Sequence, residues 1–480
     1  MLNKLILILL ALLLIFTPVA FGSMELWAFS LMELGILAIL LLGTVQSLAR
    51  KTPGSLETNA IRNPKSVIPI VFLGLFLLFI LLQIPPLPSG LLKILSPKTY
   101  AFRLELSPLS FQPSALSFAN VQSTIRNPQS PISFVPFATQ VEFFKWFTLI
   151  CLFLFLLKWR PLDTKKGNLI LIVMFVGIAE SLYGMVEFFS GHRHILHEEA
   201  PSLVSAVTGT FVNRNYFAGY LLMVIPSAIG YIFYREFPHG SPALTWRRRL
   251  ASIDGKTYFL VFGVILMILG LLFSASRMGI ASLLLSFSLV AFFFRDPRKR
   301  QRISKTPVLI LGLALLWAAW IGFDSVISRF FDVTDDFGIR WEMWGNTLQI
   351  VRDFPLFGSG LGTFEYVFPP YRSIHLEGIA SHAENDFLQL VSEVGLIGAG
   401  VLLVPFLFLL RRAFAGIRNL SFEDPKRYIA IGGMVGILGL MFHSIVERNI
   451  QVPANAFLFT FLLAIILRIG FVGRKNEVEL

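Results

Sequence analysis

Apolar stretches of roughly 17 to 23 residues recur along nearly the whole chain, and each can cross ~30 Å of hydrocarbon as a helix. A backbone in lipid must satisfy its own hydrogen bonds, so such stretches fold as helices and as little else. Twelve are readable, at about 4–21, 26–48, 67–84, 141–158, 168–188, 214–234, 257–275, 279–294, 307–323, 392–410, 428–445 and 453–469. Composition agrees. The 480 residues are 55% hydrophobic, with 48 Phe, and only 15% charged, where soluble domains stand near a quarter. The opening MLNKLILILLALLLIFTPVAFG has the sequence of either a signal peptide or a membrane anchor. Its long apolar run and the spans that follow favour a first transmembrane helix. The fold class expected is an all-α polytopic membrane protein of about 12 transmembrane helices.

Sidedness follows from Lys and Arg. With the N-terminus inside, the cytoplasmic loops take ARK (49–51), KWRPLDTKK (158–166), WRRR (246–249), RDPRKRQRISK (295–305), RRAFAGIR (411–418), PKR (425–427) and RK (474–475). Roughly two thirds of the basic residues then lie inside, which places both termini in the cytoplasm. The formal charge of +12 is thereby accounted for by topology, and no nucleic acid partner is needed. The one cysteine, Cys151, rules out an intrachain disulfide or a thiolate metal cluster. Two long loops face outward. Residues 85–140 are rich in Pro, Ser and Phe and are expected to be irregular; residues 324–391 carry more chemistry. No cytoplasmic loop has room for a nucleotide-binding domain, which excludes an ATP-driven pump or a nucleotide-sugar glycosyltransferase. The work of this chain belongs to the outer side.

Four polar groupings face that side. GTFVNRNYFAG (209–219) enters a helix through Asn213, Arg214 and Asn215. A cap explains the asparagines, whereas an arginine at an outer boundary suggests an anion partner. FSASRMG (273–279) is a short turn that puts Arg277 near membrane depth among small residues, where it is costly unless paired. In 335–372, Asp336 is expected to cap a helix running to about Phe354, with Arg340 near its start. Trp341, Trp344, Leu348 and Val351 form one stripe of that helix, suited to the membrane interface. Tyr371 and Arg372 follow in PPYRS. The glycine-rich GSGLGTF between them lacks the strand and lysine of a phosphate loop.

The fourth grouping is SHAENDFLQLVSEVGLIG, 381–398. Ser381 and Glu384 fit a capping box, which makes His382 the first helical residue. His382, Asp386, Gln389 and Glu393 then share one face, with Asp386 a candidate to orient the histidine. A helix N-terminus disfavours imidazolium and attracts anions, so His382 is expected to be a neutral base beside a phosphate. GHRHILHEE (191–199) offers His192, His194 and His197 with two glutamates, but no pattern that gathers them at one centre. No metal site and no cofactor are expected.

In order, GTFVNRNYFAG, SRMG, RWEMWGNTLQIVRDFPLFGSGLGTF and HAENDFLQLVSEVGLIG resemble the O-antigen ligase and O-antigen polymerase family of bacterial membrane glycosyltransferases, over roughly residues 200 to 410. The resemblance implies a GT-C-type fold in the inner membrane and a large periplasmic loop containing short helices. It also implies a donor glycan on undecaprenyl pyrophosphate. Ligases pass the glycan to a lipid A–core sugar; polymerases pass it to another lipid-linked repeat. By position, His382 matches the ligase histidine and Arg277 the arginine of the short outer turn. Ligases often carry an arginine just before the G-T-F element; here SLVSAVTGTF has none, so that either Arg214 or Arg193 substitutes for it or the donor head group is held differently. The implied layout is an N-terminal membrane region (1–200, with loop 85–140), a ligase-like core (201–410, with loop 324–391) and C-terminal helices (411–480).

The residue chemistry fits that resemblance. A lipid pyrophosphate is already an activated leaving group, so transfer needs a base and positive charge rather than a nucleotide domain. His382 supplies the base. Arg277, Arg340 and Arg214 supply forked phosphate binding, without a metal, and Tyr371 and Arg372 line the acceptor side. A flippase or secondary transporter is the alternative from another class. Transporters usually show internal repeats and polar sites at mid-membrane, whereas here no repeat is evident and the polar residues gather at the outer face.

Overall fold

The computed structural model describes residues 1–49, 64–106, 130–192, 194–199, 206–236, 254–294, 334–373 and 380–478. Among these, eight helices are long and apolar enough to cross a membrane. They are Leu2–Val19, Leu26–Ala49, Pro136–Lys158, Leu162–Ser190, Arg214–Glu236, Gly255–Phe273, Asp386–Asn419 and the Pro453–Phe471 part of the last helix. Pro64–Gln83, Arg277–Phe293 and Lys426–His443 are further helices at expected spans. The span read at 307–323 lies outside the described residues. The chain is an all-α polytopic membrane protein, and among the described residues the one small sheet is a two-stranded hairpin.

Two compact units divide the chain. The first comprises Met1–Pro53, Leu149–Val333 and Leu409–Leu480. Its centre is the Arg214–Glu236 helix, buried on nearly every side from Tyr216 to Gly230. Lys426–His443 packs along it through glycines. A Cβ on Gly432 would lie 2.3 Å from the Pro226 carbonyl oxygen, and one on Gly436 would lie 2.9 Å from Met223 Cα. Helices without water between them gain their attraction from such close backbone approach.

The second unit comprises Gly54–Thr148 and Thr334–Phe408. Its outer loops are more ordered than their composition predicts. The described part of 85–140, expected to be irregular, folds as helices Ser89–Leu95 and Pro97–Leu106. Leu87 bridges back to Ser130. The helix expected from Asp336 begins at Thr334 and ends at Asp353. Its tryptophan stripe does face outward, with Trp341 66% exposed. Stability comes from a second face that the stripe conceals. Met343 and Ile350 pack with Phe354, Phe364, Val367, Phe368 and Ala383 into a buried cluster.

The long Asp386–Asn419 helix is broken at Gly395, whose φ of 65° and ψ of −177° are non-helical. Only glycine occupies that region readily. The break releases backbone groups that lipid cannot satisfy, each worth several kcal/mol if orphaned. The PLFGSGL segment satisfies them. Leu396 N–H donates to the Pro355 carbonyl at 2.8 Å and Ile397 N–H to Leu356 at 3.3 Å. In the other direction, Ser359 N–H reaches the Ser392 carbonyl at 3.1 Å and Gly360 N–H reaches Glu393 at 2.9 Å. Gln83 closes the seam, donating to Phe357 O at 2.8 Å and accepting from Leu361 N–H at 3.1 Å. The glycine-rich run is therefore the plug of a broken helix.

Candidate active site

The candidate residues fall into two groupings, one in each unit. In the first unit, Arg214 opens its helix and Arg277 opens Arg277–Phe293. A basic residue in a first turn opposes the helix dipole, while an anion bound at such a helix start would meet both a guanidinium and backbone N–H groups. Local structure fixes each of them. Asn213 is the cap of the first helix, its side-chain oxygen accepting from Asn215 N–H at 2.7 Å. Asn215 in turn donates to Glu447 Oε1 at 2.7 Å. Both asparagines, expected among the substrate-binding residues, thus place their side chains in contacts that shape the helix entry. Arg277 follows Ala275, whose φ is +53°, and Ser276, whose hydroxyl lies 3.4 Å from His443 Nε2.

Two buried carboxylates in this unit were missed by sequence reasoning. Glu180, within Leu162–Ser190, accepts from Thr210 N–H at 2.8 Å and lies 2.9 Å from its hydroxyl. It thereby fastens the G-T-F turn that leads to Arg214. Glu447 holds Asn215. The signal for Glu180 was its place inside an apolar span, where an acid is expensive without a purpose. Glu447 lies just beyond the end of the Lys426–His443 helix, in a stretch read only as a loop.

In the second unit the helix that follows the histidine starts later than expected. Ser381 and Glu384 do not form its capping box: helix begins at Asp386, and Glu384 has φ +49°. The cap is Asn385, whose Oδ1 accepts from Leu388 N–H at 2.9 Å. His382 therefore precedes the helix, outside any regular element, and is held from the side. Beside it, Ala383 is fully buried in the aromatic cluster, and its N–H donates to Gln389 Oε1 at 3.1 Å. Gln389 Nε2 lies 3.4 Å from His382 Nδ1 and 3.1 Å from Glu393 Oε1. Glu393 also accepts from the backbone N–H of Gly362, at 2.9 Å, and of Phe364, at 3.2 Å. Gln389 thus meets His382 Nδ1, a contact the sequence reading did not anticipate. Asp386 is buried in the first turn.

Arg340 is half-buried, in the second turn of Thr334–Asp353. Tyr371 ends a short 3-10 turn, and its hydroxyl donates to Asp353 Oδ2 at 2.6 Å. Burial, and then the neighbouring Asp353 carboxylate, push the Tyr371 phenol well above its ordinary range. Lys98 joins the same carboxylate at 3.3 Å. Arg372 follows, half-buried. Arg193, the other stand-in before the G-T-F element, lies outside the described residues. The histidines at 191–199 do sit on a hairpin, contrary to expectation. It sets them side by side rather than around a centre: His194 pairs with Glu199 at 4.0 Å and His197 with Glu198 at 3.9 Å.

Residues 262–403 match the family model described as O-antigen ligase. No curated protein matches the chain.

Proposed function

We propose, on the premise that the chain belongs through residues 262–403 to the O-antigen ligase family, that it transfers a glycan from undecaprenyl pyrophosphate to an acceptor sugar of the lipid A–core type. The reaction takes place on the periplasmic face of the inner membrane. The observation that carries the proposal is the reach of the family match, which includes Arg277, Arg340, Tyr371, Arg372, His382 and Asp386. Chemistry supports it. A sugar leaving pyrophosphate develops negative charge on phosphate oxygens, and forked guanidinium groups at helix N-termini suit that charge. Arg277 and Arg214 hold the pyrophosphate, with Arg340 as a further cation. His382 works at the reacting oxygens. Arg372 and Tyr371 lie toward the acceptor, and Asp386 supports the histidine segment. Arginine provides the positive charge, so the transfer runs without a metal.

The test is mass spectrometry of the product formed by purified protein from lipid-linked glycan and a lipid A–core acceptor. The expected result is acceptor mass increased by the glycan, with undecaprenyl pyrophosphate released. A product lengthened only on the lipid carrier would assign polymerisation instead. Intact donor moved across a vesicle membrane would assign transport.

A further inference from the structure

The chain of contacts from Glu393 through Gln389 to His382 determines where the imidazole proton sits. Ala383 N–H is an obligatory donor, and the Gln389 atom it meets at 3.1 Å must therefore be the amide oxygen. Both oxygens of Glu393 accept backbone N–H groups, from Gly362 and Phe364, so the Gln389 atom facing Glu393 must be the amide nitrogen. Two independent neighbours thus fix the same amide orientation. An amide nitrogen donates and has no lone pair to accept with. One of its hydrogens goes to Glu393 Oε1 at 3.1 Å and the other points to His382 Nδ1 at 3.4 Å. His382 Nδ1 is therefore the acceptor, and the neutral ring keeps its hydrogen on Nε2.

We infer that His382 enters the reaction as a hydrogen-bond donor through Nε2–H, and that Gln389 is the positioning residue that enforces this tautomer. The inference rests on the glycan transfer proposed above and replaces the general base with a donor. In the transfer, the bond from the anomeric carbon to the phosphate oxygen breaks, and its electron pair stays on the pyrophosphate. The acceptor hydroxyl oxygen forms the new bond to the anomeric carbon. The hydroxyl proton passes to the departing pyrophosphate, which has just gained that charge. His382 Nε2–H stabilises the charge on that oxygen, and the ring finishes as it began. Gln389 and Glu393 do not touch substrate; they hold the ring and its proton in place.

Three variants and one spectrum, all on the full-length protein in lipid nanodiscs, test this. The donor is undecaprenyl-pyrophosphate glycan and the acceptor lipid A–core. His382→Ala is expected to slow transfer by on the order of a hundredfold, as the loss of a charge-stabilising donor does. His382→Gln places an amide N–H near the site of Nε2 and should recover at least about tenfold of that loss. Gln389→Glu puts a carboxylate against Nδ1, draws the proton there and turns Nε2 into an acceptor. It is expected to slow transfer by at least about tenfold. Nitrogen-15 spectra of histidine-labelled protein, subtracted against His382→Ala, should show a bare Nδ1 and a protonated Nε2. His382→Gln as inactive as His382→Ala together with Gln389→Glu at the wild-type rate would overturn the inference. A proton found on Nδ1 would overturn it too, and that spectrum of the wild-type protein decides even if a variant fails to fold. Normal transfer by His382→Ala would overturn it as well, whereas no product from wild type would instead defeat the transfer proposal.

Discussion

Asn385 begins the helix that carries Gln389 and Glu393, its side chain receiving Leu388 N–H at 2.9 Å. Replacing it with Ala should cost about 1 kcal/mol, the usual value of a lost N-cap. The fall would be read as a lower thermal midpoint in detergent, while Ser381→Ala leaves the midpoint where it was. The pattern S-x-x-E at 381–384 was legible and misleading, because Ser381 and Asn385 offer two cap registers four residues apart. Glu384 settles the choice: its left-handed φ of 49° breaks the chain direction before the helix can start. Tyr371 gives a second expectation at this scale. Its hydroxyl donates to Asp353 at 2.6 Å, so Tyr371→Phe should cost about 1–2 kcal/mol in stability. Burial and Asp353 raise the phenol's pKa in the folded protein. The folded state therefore favours the neutral phenol, and this contribution is complete below the unfolded phenol's pKa. It is lost as pH rises through the higher folded value. Unfolding of wild type and Tyr371→Phe should converge in strongly alkaline buffer, and a constant gap across that range would contradict the assignment.

The break at Gly395 governs the next scale up. A Cβ there would lie 2.3 Å from the Leu356 carbonyl, in a backbone region that other residues avoid. Gly395→Ala should therefore cost at least about 2 kcal/mol. Gly400, with nothing within 4 Å of its would-be Cβ, is the control. It lies inside the helix, so Gly400→Ala should stabilise by about 0.5–1 kcal/mol. Equal thermal midpoints for the two variants would remove the plug from the account. Most helices were legible because apolar runs of membrane length permit little else. The break was not, since VGLIG reads as the start of a continuous apolar span and its partner, PLFGSGL, lies some forty residues earlier. Both glycine groups were visible; only tertiary contact shows that one exists for the other, with a Cβ on Gly358 falling 2.2 Å from the Glu393 carbonyl carbon. The buried face opposite the tryptophan stripe at 341–351 was equally hard to read, because it mixes Met343 and Ile350 with Asn346 and Thr347.

For the whole molecule, sidedness and chemistry are separate expectations. The single native cysteine, Cys151, makes labelling simple once it is replaced by Ala. His197→Cys, on the exposed hairpin, should react with a membrane-impermeant maleimide in cells whose outer membrane is permeabilised. Lys165→Cys, in a basic cytoplasmic segment, should react only after the inner membrane is opened; the reverse pattern would invert the topology. On the proposal that forked arginines rather than a metal meet the phosphate charge, chelators should change the transfer rate by less than about twofold. Arg277 and His382 stand out in the sequence by their places at the ends of apolar runs. Glu180, Glu447 and Gln389 were harder to see, because each acts through a partner far away in sequence. The most direct measurement of the central claim follows purified protein in nanodiscs with undecaprenyl-pyrophosphate glycan and lipid A–core, using mass spectrometry of both lipids. The predicted result is glycan joined to the core and free undecaprenyl pyrophosphate, both reduced on the order of a hundredfold by His382→Ala. Unchanged donor and acceptor, or equal product from the variant, would contradict it.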